Sequence, residues 1–290
     1  MSLRDAIVSL RPTQWVKNLF LFAALIFSQN LAVLSKSLRV CWGFVLFCAL
    51  ASSTYLINDL FDLQKDQKHP IKSRRPLASG RLSRSQAVLI AVFLGAISLG
   101  FSFKLHTQFG MLALAYFLMN FAYSAFLKHV IILDVMLLAF GFVLRAVAGA
   151  VVIEVEISSW LLICTILIAL FLALSKRRHE LVIMAEGSQD HRKVLGEYSP
   201  YFLDQMIGVV TASTLMSYML YTLSPEVIRK LETANLKFTI PFVLYGIFRY
   251  LYLVHQQSKG GSPTKVLLTD KPLMLNILLW FVAIWVILYL

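Results

Sequence analysis

The sequence predicts an all-α, polytopic membrane protein, and three observations carry that fold class. Hydrophobic residues fill 59% of the 290 positions and charged ones only 14%, with a mean hydropathy of +0.74, a balance foreign to soluble domains. The apolar residues gather in unbroken stretches close to the roughly 20 residues that a spanning helix needs. Those stretches lack the alternation that a membrane β-barrel would show. In chain order they lie near 15–34, 40–57, 86–103, 109–126, 130–152, 157–175, 202–223, 238–255 and 273–290, which makes nine expected transmembrane helices in one integral-membrane domain, 1–290.

The first stretch follows Arg4 and Arg11, is long, and closes on no small-residue cleavage site, so it reads as a retained span rather than a signal peptide. Cys41, Cys48 and Cys164 all fall inside spans without paired spacing, which excludes a zinc ribbon and a disulfide framework. With the N-terminus in the cytoplasm, only Lys36, Arg39, Lys104, Arg229, Lys230 and Lys237 of the 27 bases fall on external segments. Arg145 and Arg249 are intramembrane, and the rest are cytoplasmic. The positive-inside rule therefore selects a cytoplasmic N-terminus and an external C-terminus. Part of the net charge of +12 is thereby topological, and no nucleic-acid partner is expected. The two substantial cytoplasmic loops, 58–85 and 176–201, follow the second and sixth spans and hold much of the charge.

The first of these loops opens NDLFDLQKDQKHPIKSRRPLASG, from Asn58 to Gly80. On a continuous helix at 100° per residue, Asp59, Asp62 and Asp66 project within about 60° of one another. Three like charges on one face repel unless a cation neutralises them. Mg²⁺ does so with oxygen ligands, using one or two carboxylates, waters and substrate phosphates, so the trio with Asn58 reads as a site for a magnesium-bound diphosphate. Lys72, Arg74 and Arg75 follow closely and suit the remaining phosphate oxygens. Arg81 and Arg84 read as topological bases.

This stretch resembles the first aspartate-rich motif of the UbiA superfamily of intramembrane prenyltransferases, in Asn58-Asp59-x-x-Asp62-x-x-x-Asp66 followed by Arg75-Pro76-Leu77 and Gly80. The resemblance runs over almost the whole chain. It implies a nine-helix bundle with a lateral opening to lipid, cytoplasmic cap loops over the active site, and residence in a bacterial inner membrane with the site facing the cytoplasm. At the second aspartate-rich motif the chain departs from the usual pattern. It reads SKRRHELVIMAEGSQDHRKVLGEYS, where Lys176, Arg177, Arg178, Arg192 and Lys193 stand against Glu180, Glu186, Asp190 and Glu197. That departure, with RPTQWVKNLF, YSAFLK and GFVLRAVAGA, is similar to the branch of polyprenyl-phosphate phosphoribosyltransferases, whose known type serves cell-wall arabinan assembly.

The resemblance implies a magnesium-dependent pentosyl transfer from phosphoribosyl diphosphate to a polyprenyl phosphate, with Asp59, Asp62, Asp66 and Asn58 catalytic and the three aspartates holding the metal. Charge supports the branch: a sugar 5-phosphate and a lipid phosphate together bring more anion than a prenyl diphosphate with a neutral acceptor, and more anion requires more cation. Lys17, Lys128, Lys176, Arg177 and Arg178 lie near cytoplasmic span ends where they can meet those phosphates. Glu180 joins the substrate-binding set. Asp134, an ionisable group just inside a span, is a functional candidate by default, placed to orient Lys128, Tyr123 or a ribose hydroxyl. Arg145, about 16 Å deeper on that helix, reads as a packing and carbonyl-capping residue, and Arg249 as a snorkelling one. The six histidines show no zinc spacing. Two other readings stay open: a prenyltransferase acting on an aromatic or other acceptor, and a transporter, which the absence of paired broken helices disfavours. Chain length of the lipid and oligomeric state, homo-oligomers included, are not specified.

Overall fold

The computed structural model describes residues 2–69, 71–185, 196–257 and 263–290. Every regular element among them is helical. The chain forms two compact units, the first reaching Glu156 and the second beginning at Ile157.

In the first unit, α1 (Leu3–Leu10) starts where the Ser2 hydroxyl accepts the Asp5 N–H at 3.1 Å, and ends at Arg11 in the left-handed region, φ 53°. That turn feeds a 3-10 helix, Pro12–Leu21, with proline at the first position where its missing N–H costs nothing. Only then comes a short α2 (Phe22–Phe27). The expected continuous span over 15–34 is therefore broken. The tight winding seats the buried Asn18 side chain, which donates to Cys48 Sγ at 3.2 Å and accepts from Arg145 Nε at 2.7 Å. It also sets the Leu21 carbonyl so close to Gly149 that a Cβ there would lie 2.0 Å from the oxygen.

Helix α3 (Leu34–Phe61) is followed by α4 (Leu63–Lys68), and Asp62 stands between them at φ −92° and ψ 5°, its N–H donating to the Asn58 carbonyl at 3.0 Å and its carbonyl accepting from the Asp66 N–H at 2.8 Å. Helix α5 (Arg84–Leu105) opens on a capping box formed by Ser83 and Gln86. Its buried residues Ala87, Ala91, Gly95, Ser98 and Ser102 make a small-residue stripe, against which α3 packs closely enough for Ser53 Oγ to donate to the Ala91 carbonyl at 2.7 Å. Helices α6 (Thr107–Ala125) and α7 (Leu133–Val152) complete the unit. Arg145 of α7 donates to the Gly141 carbonyl at 2.8 Å and to Tyr116 Oη at 2.7 Å, and its guanidinium lies 4.7 Å from the Tyr116 ring centroid. Its role in packing and carbonyl capping agrees with the sequence.

In the second unit α8 (Ser159–Ala185) continues well past the expected span end at 175. Pairing of Lys176 and Arg177 with Glu180, one turn on, stabilises the extension. Helix α9 (Pro200–Leu223), capped by Ser199, leads to α10 (Pro225–Leu231), α11 (Ile240–His255), α12 (Pro263–Thr269) and α13 (Lys271–Tyr289). Tyr218 Oη ties α9 to Thr239 at 2.7 Å and to Trp280 at 3.1 Å. The Arg249 fork meets Asp270, the N-cap of α13, at 2.9 and 3.1 Å.

Seven helices among the described residues are long and apolar enough to cross a membrane. The chain is an all-α, multi-pass membrane protein. The two expected spans outside that set are the broken first one and α6, which has spanning length but carries Gln108, Tyr116, Asn120 and Tyr123.

Candidate active site

The end of the first unit where α3 gives way to α4 gathers the aspartates that the sequence singles out. Asp59 is buried in the last turn of α3, and Asp66 is buried on α4. A single nitrogen of Arg75, Nη1, lies 3.0 Å from Asp59 Oδ1 and 2.5 Å from Asp66 Oδ2, so two carboxylates converge on one positive point. Lys72 Nζ stands 4.0 Å from the other oxygen of Asp66. The chain reaches this geometry because α4 ends at His69, a 3-10 turn (Lys72–Arg74) reverses it, and the buried Pro76, Leu77 and Leu82 dock the return segment beside Leu56 and Leu63.

Asp62 pairs with Lys128, whose Nζ donates to Oδ1 at 2.7 Å from the 3-10 turn Leu127–His129. Lys128 is almost fully buried. Asn58 accepts from Ser124 of α6 at 3.2 Å. Among the described residues no group of three or more acids, histidines or cysteines is assembled for a metal. The pair Asp59 and Asp66 nevertheless fits a hard divalent ion that takes one or two carboxylates and completes its shell with water and phosphate. The guanidinium nitrogen between them already marks a point of cation affinity.

The sequence alone does not assign Arg11 to the site. Its Nη2 donates to Asp59 Oδ1, the oxygen that Arg75 also uses, and its guanidinium lies 5.2 Å from the Tyr55 ring centroid. Burial pushes the Arg11 guanidinium below its ordinary value, and the Asp59 charge opposes that shift. The available signal was RPTQW itself, in which a base stands immediately before a proline that starts a helix.

The remaining candidates lie around these contacts or elsewhere. Lys17 sits on the 3-10 helix beside Asn18 and feels the positive charges of Arg145 and Arg11. Tyr123 is half-buried on α6, and Asp134 is fully buried in the first turn of α7. Arg74 is exposed, and its carbonyl accepts from Arg81 at 2.6 Å. In the second unit, buried Arg177 donates to Glu180 Oε2 at 2.5 Å, and Lys176 Nζ stands 3.7 Å from Oε1. Arg178 pairs with Asp204, which His255 Nε2 also approaches at 3.2 Å. Arg192, Lys193, Glu186 and Asp190 lie outside the described residues.

The model of the UbiA prenyltransferase family matches residues 18–269. A decaprenyl-phosphate phosphoribosyltransferase of Corynebacterium glutamicum is 34% identical over 299 residues, covering 99% of this chain and 88% of the relative. The protein of that name from Mycolicibacterium smegmatis is 30% identical over 294 residues, covering 98% and 92%. Among solved structures, a UbiA homolog from Archaeoglobus fulgidus bound to GPP and Mg²⁺ aligns with a TM-score of 0.72 at 19% identity, over 99% of this chain and 100% of that one.

Proposed function

The chain belongs to the UbiA prenyltransferase family, and from that premise we propose that it transfers the phosphoribosyl group of phosphoribosyl diphosphate to a polyprenyl phosphate, releasing diphosphate. The observation that carries this reading is the near end-to-end likeness to relatives named decaprenyl-phosphate phosphoribosyltransferase. The buried pair Asp59 and Asp66 gives it a chemical centre.

The bond from ribose C1 to the diphosphate oxygen breaks, the diphosphate leaving with the electron pair, while a phosphate oxygen of the lipid bonds to C1. Asp59 and Asp66, with Asp62 beside them, are the residues that would hold Mg²⁺, which when bound neutralises charge on the diphosphate. Arg75 and Lys72, both partly exposed, give their N–H groups to phosphate oxygens once the aspartates are otherwise satisfied. Arg74 adds charge at the rim. Lys128 holds Asp62 in place, while Asn58 and Tyr123 offer polar atoms to the sugar and Asp134 orients the groups around Lys128. The lipid phosphate is already an anion near neutral pH, so no strong general base is required. Lys17, Lys176 and Arg177, with Glu180 orienting the last two, serve the remaining phosphate charge. The positive-inside pattern supports a cytoplasmic N-terminus and a site open to the cytosolic sugar diphosphate, and the end-to-end likeness to bacterial relatives supports a single catalytic domain in a bacterial inner membrane.

The test is incubation of purified protein with magnesium, radiolabelled phosphoribosyl diphosphate and mixed polyprenyl phosphates. Label is expected to enter the lipid fraction. Product formed instead from a prenyl diphosphate and an aromatic acid would establish the prenyltransferase alternative.

A further inference from the structure

The geometry points to Arg11 as an exchanging counter-ion: it neutralises Asp59 while the metal site is empty of cation, and moves onto a phosphate oxygen of the diphosphate when metal and substrate arrive. This rests on the reading that Asp59 and Asp66 serve a metal-bound diphosphate.

The argument starts from crowding. Two guanidinium groups, those of Arg11 and Arg75, donate to the same oxygen, Oδ1 of Asp59. With Lys72 near Asp66 and Lys128 on Asp62, four bases face three carboxylates. A divalent cation among these aspartates would leave the cluster strongly positive, and at least one guanidinium would lose its partner. A diphosphate supplies the missing anion, with oxygens suited to an arginine fork.

The backbone of Arg11 is built for such an exchange. Arg11 adopts φ 53°, a left-handed conformation that side chains other than glycine adopt only at a cost. It is held there from both sides: Ser52 Oγ donates to the Leu10 carbonyl at 2.9 Å and accepts from Trp15 Nε1 at 3.0 Å. Those contacts pin the turn to α3 about two helical turns before Asp59. The Arg11 side chain, resting on Tyr55, is the part left to move. A strained, clamped base aimed at the candidate centre is a pattern found where a side chain has a task.

The experiment is a Mn²⁺ titration followed by electron paramagnetic resonance, with and without inorganic diphosphate, on wild type, Arg11→Gln, Arg11→Lys and Arg84→Gln. Wild type is expected to bind Mn²⁺ weakly alone and more tightly with diphosphate. Arg11→Gln is expected to bind Mn²⁺ alone severalfold more tightly, since a competing cation is gone, and to lose about tenfold of the gain from diphosphate. Arg11→Lys falls between on both, and it carries the test if Arg11→Gln fails to fold by gel filtration. Arg84→Gln matches wild type. Weaker Mn²⁺ binding in Arg11→Gln, an unchanged diphosphate gain, or no Mn²⁺ binding by wild type would each overturn the proposal. Label transfer to lipid decides the substrate, whereas this titration reads Arg11 for any diphosphate, so either can fail without the other.

Discussion

At the end of α3 the acid is the buried partner of the ion pairs, whereas in the last turns of α8 it is the base. The Asp66 side chain is 6% exposed and its partner Arg75 30%; the Arg177 side chain is 1% exposed and its partner Glu180 30%. The Asp59 pairs follow the first pattern, and Arg178 with Asp204 follows the second. Each cluster has one exception: Lys128 is more deeply buried than Asp62, and Lys176 is more exposed than Glu180. A buried charge is fixed by the fold and costs desolvation, whereas its exposed partner reaches water and exchanges readily. The first cluster is thus a fixed anion with replaceable cations, suited to a metal. The second is a fixed cation with a replaceable anion, suited to phosphate. The difference gives a physical form to the departure from the family's second aspartate-rich motif.

The largest expected effect comes from removing the fixed acid. Asp59→Asn takes away a metal ligand and leaves two guanidinium groups on a neutral amide; turnover in the label-transfer assay should fall by about 10³-fold, corresponding to the several kcal/mol that metal-held charge stabilisation supplies. Its thermal midpoint should also drop, by a few degrees, from the loss of partly exposed pairs. Turnover within tenfold of wild type would place the metal elsewhere.

Next is the fixed base. Arg177→Gln removes charge-assisted contacts worth about 1.5–3 kcal/mol, so the Michaelis constant for the donor or the lipid should rise by roughly ten- to a hundredfold. Lys176→Gln, at a more exposed position of the same pair set, should show a smaller rise. If both are as harmless as Arg84→Gln, the bases of α8 are orientation signals and the comparison loses its second half.

Topology sharpens the comparison without changing activity. A cysteine at the exposed position 67, with the native cysteines replaced, should react with an impermeant thiol reagent from the cytoplasmic side, and one at position 230 from outside. Labelling of 67 from outside would remove access to a cytosolic sugar diphosphate. The smallest effect belongs to Asp204→Asn. Its partners Arg178 and His255 are partly exposed, so stability should change by at most about 1 kcal/mol and activity by less than threefold.

Much of this was legible in the sequence because membrane insertion writes itself into local composition. The long apolar helices, the aspartate spacing and Arg75 follow from residues close together in the chain. What was not legible depends on partners far apart. Asp62 meets Lys128, 66 residues on, and Arg11 meets Asp59 across 48 residues. The 3-10 winding of 12–21 answers to Asn18, Arg145 and Gly149, none of which changes the hydropathy of that stretch enough to reveal it. Burial inversion between the two clusters has no local signature at all, since Asp-rich and Arg-rich stretches read alike whichever partner faces the core.

We propose that the two clusters divide the labour, the fixed acids holding metal and the fixed bases holding phosphate. Equilibrium binding of radiolabelled phosphoribosyl diphosphate in magnesium or in a chelator tests it most directly, on wild type, Asp59→Asn and Arg177→Gln. Wild type should bind at least about tenfold more tightly with magnesium. Asp59→Asn should lose that dependence, and Arg177→Gln should bind more weakly in both conditions while keeping the ratio. A magnesium ratio that survives Asp59→Asn, or one that disappears in Arg177→Gln, would contradict it.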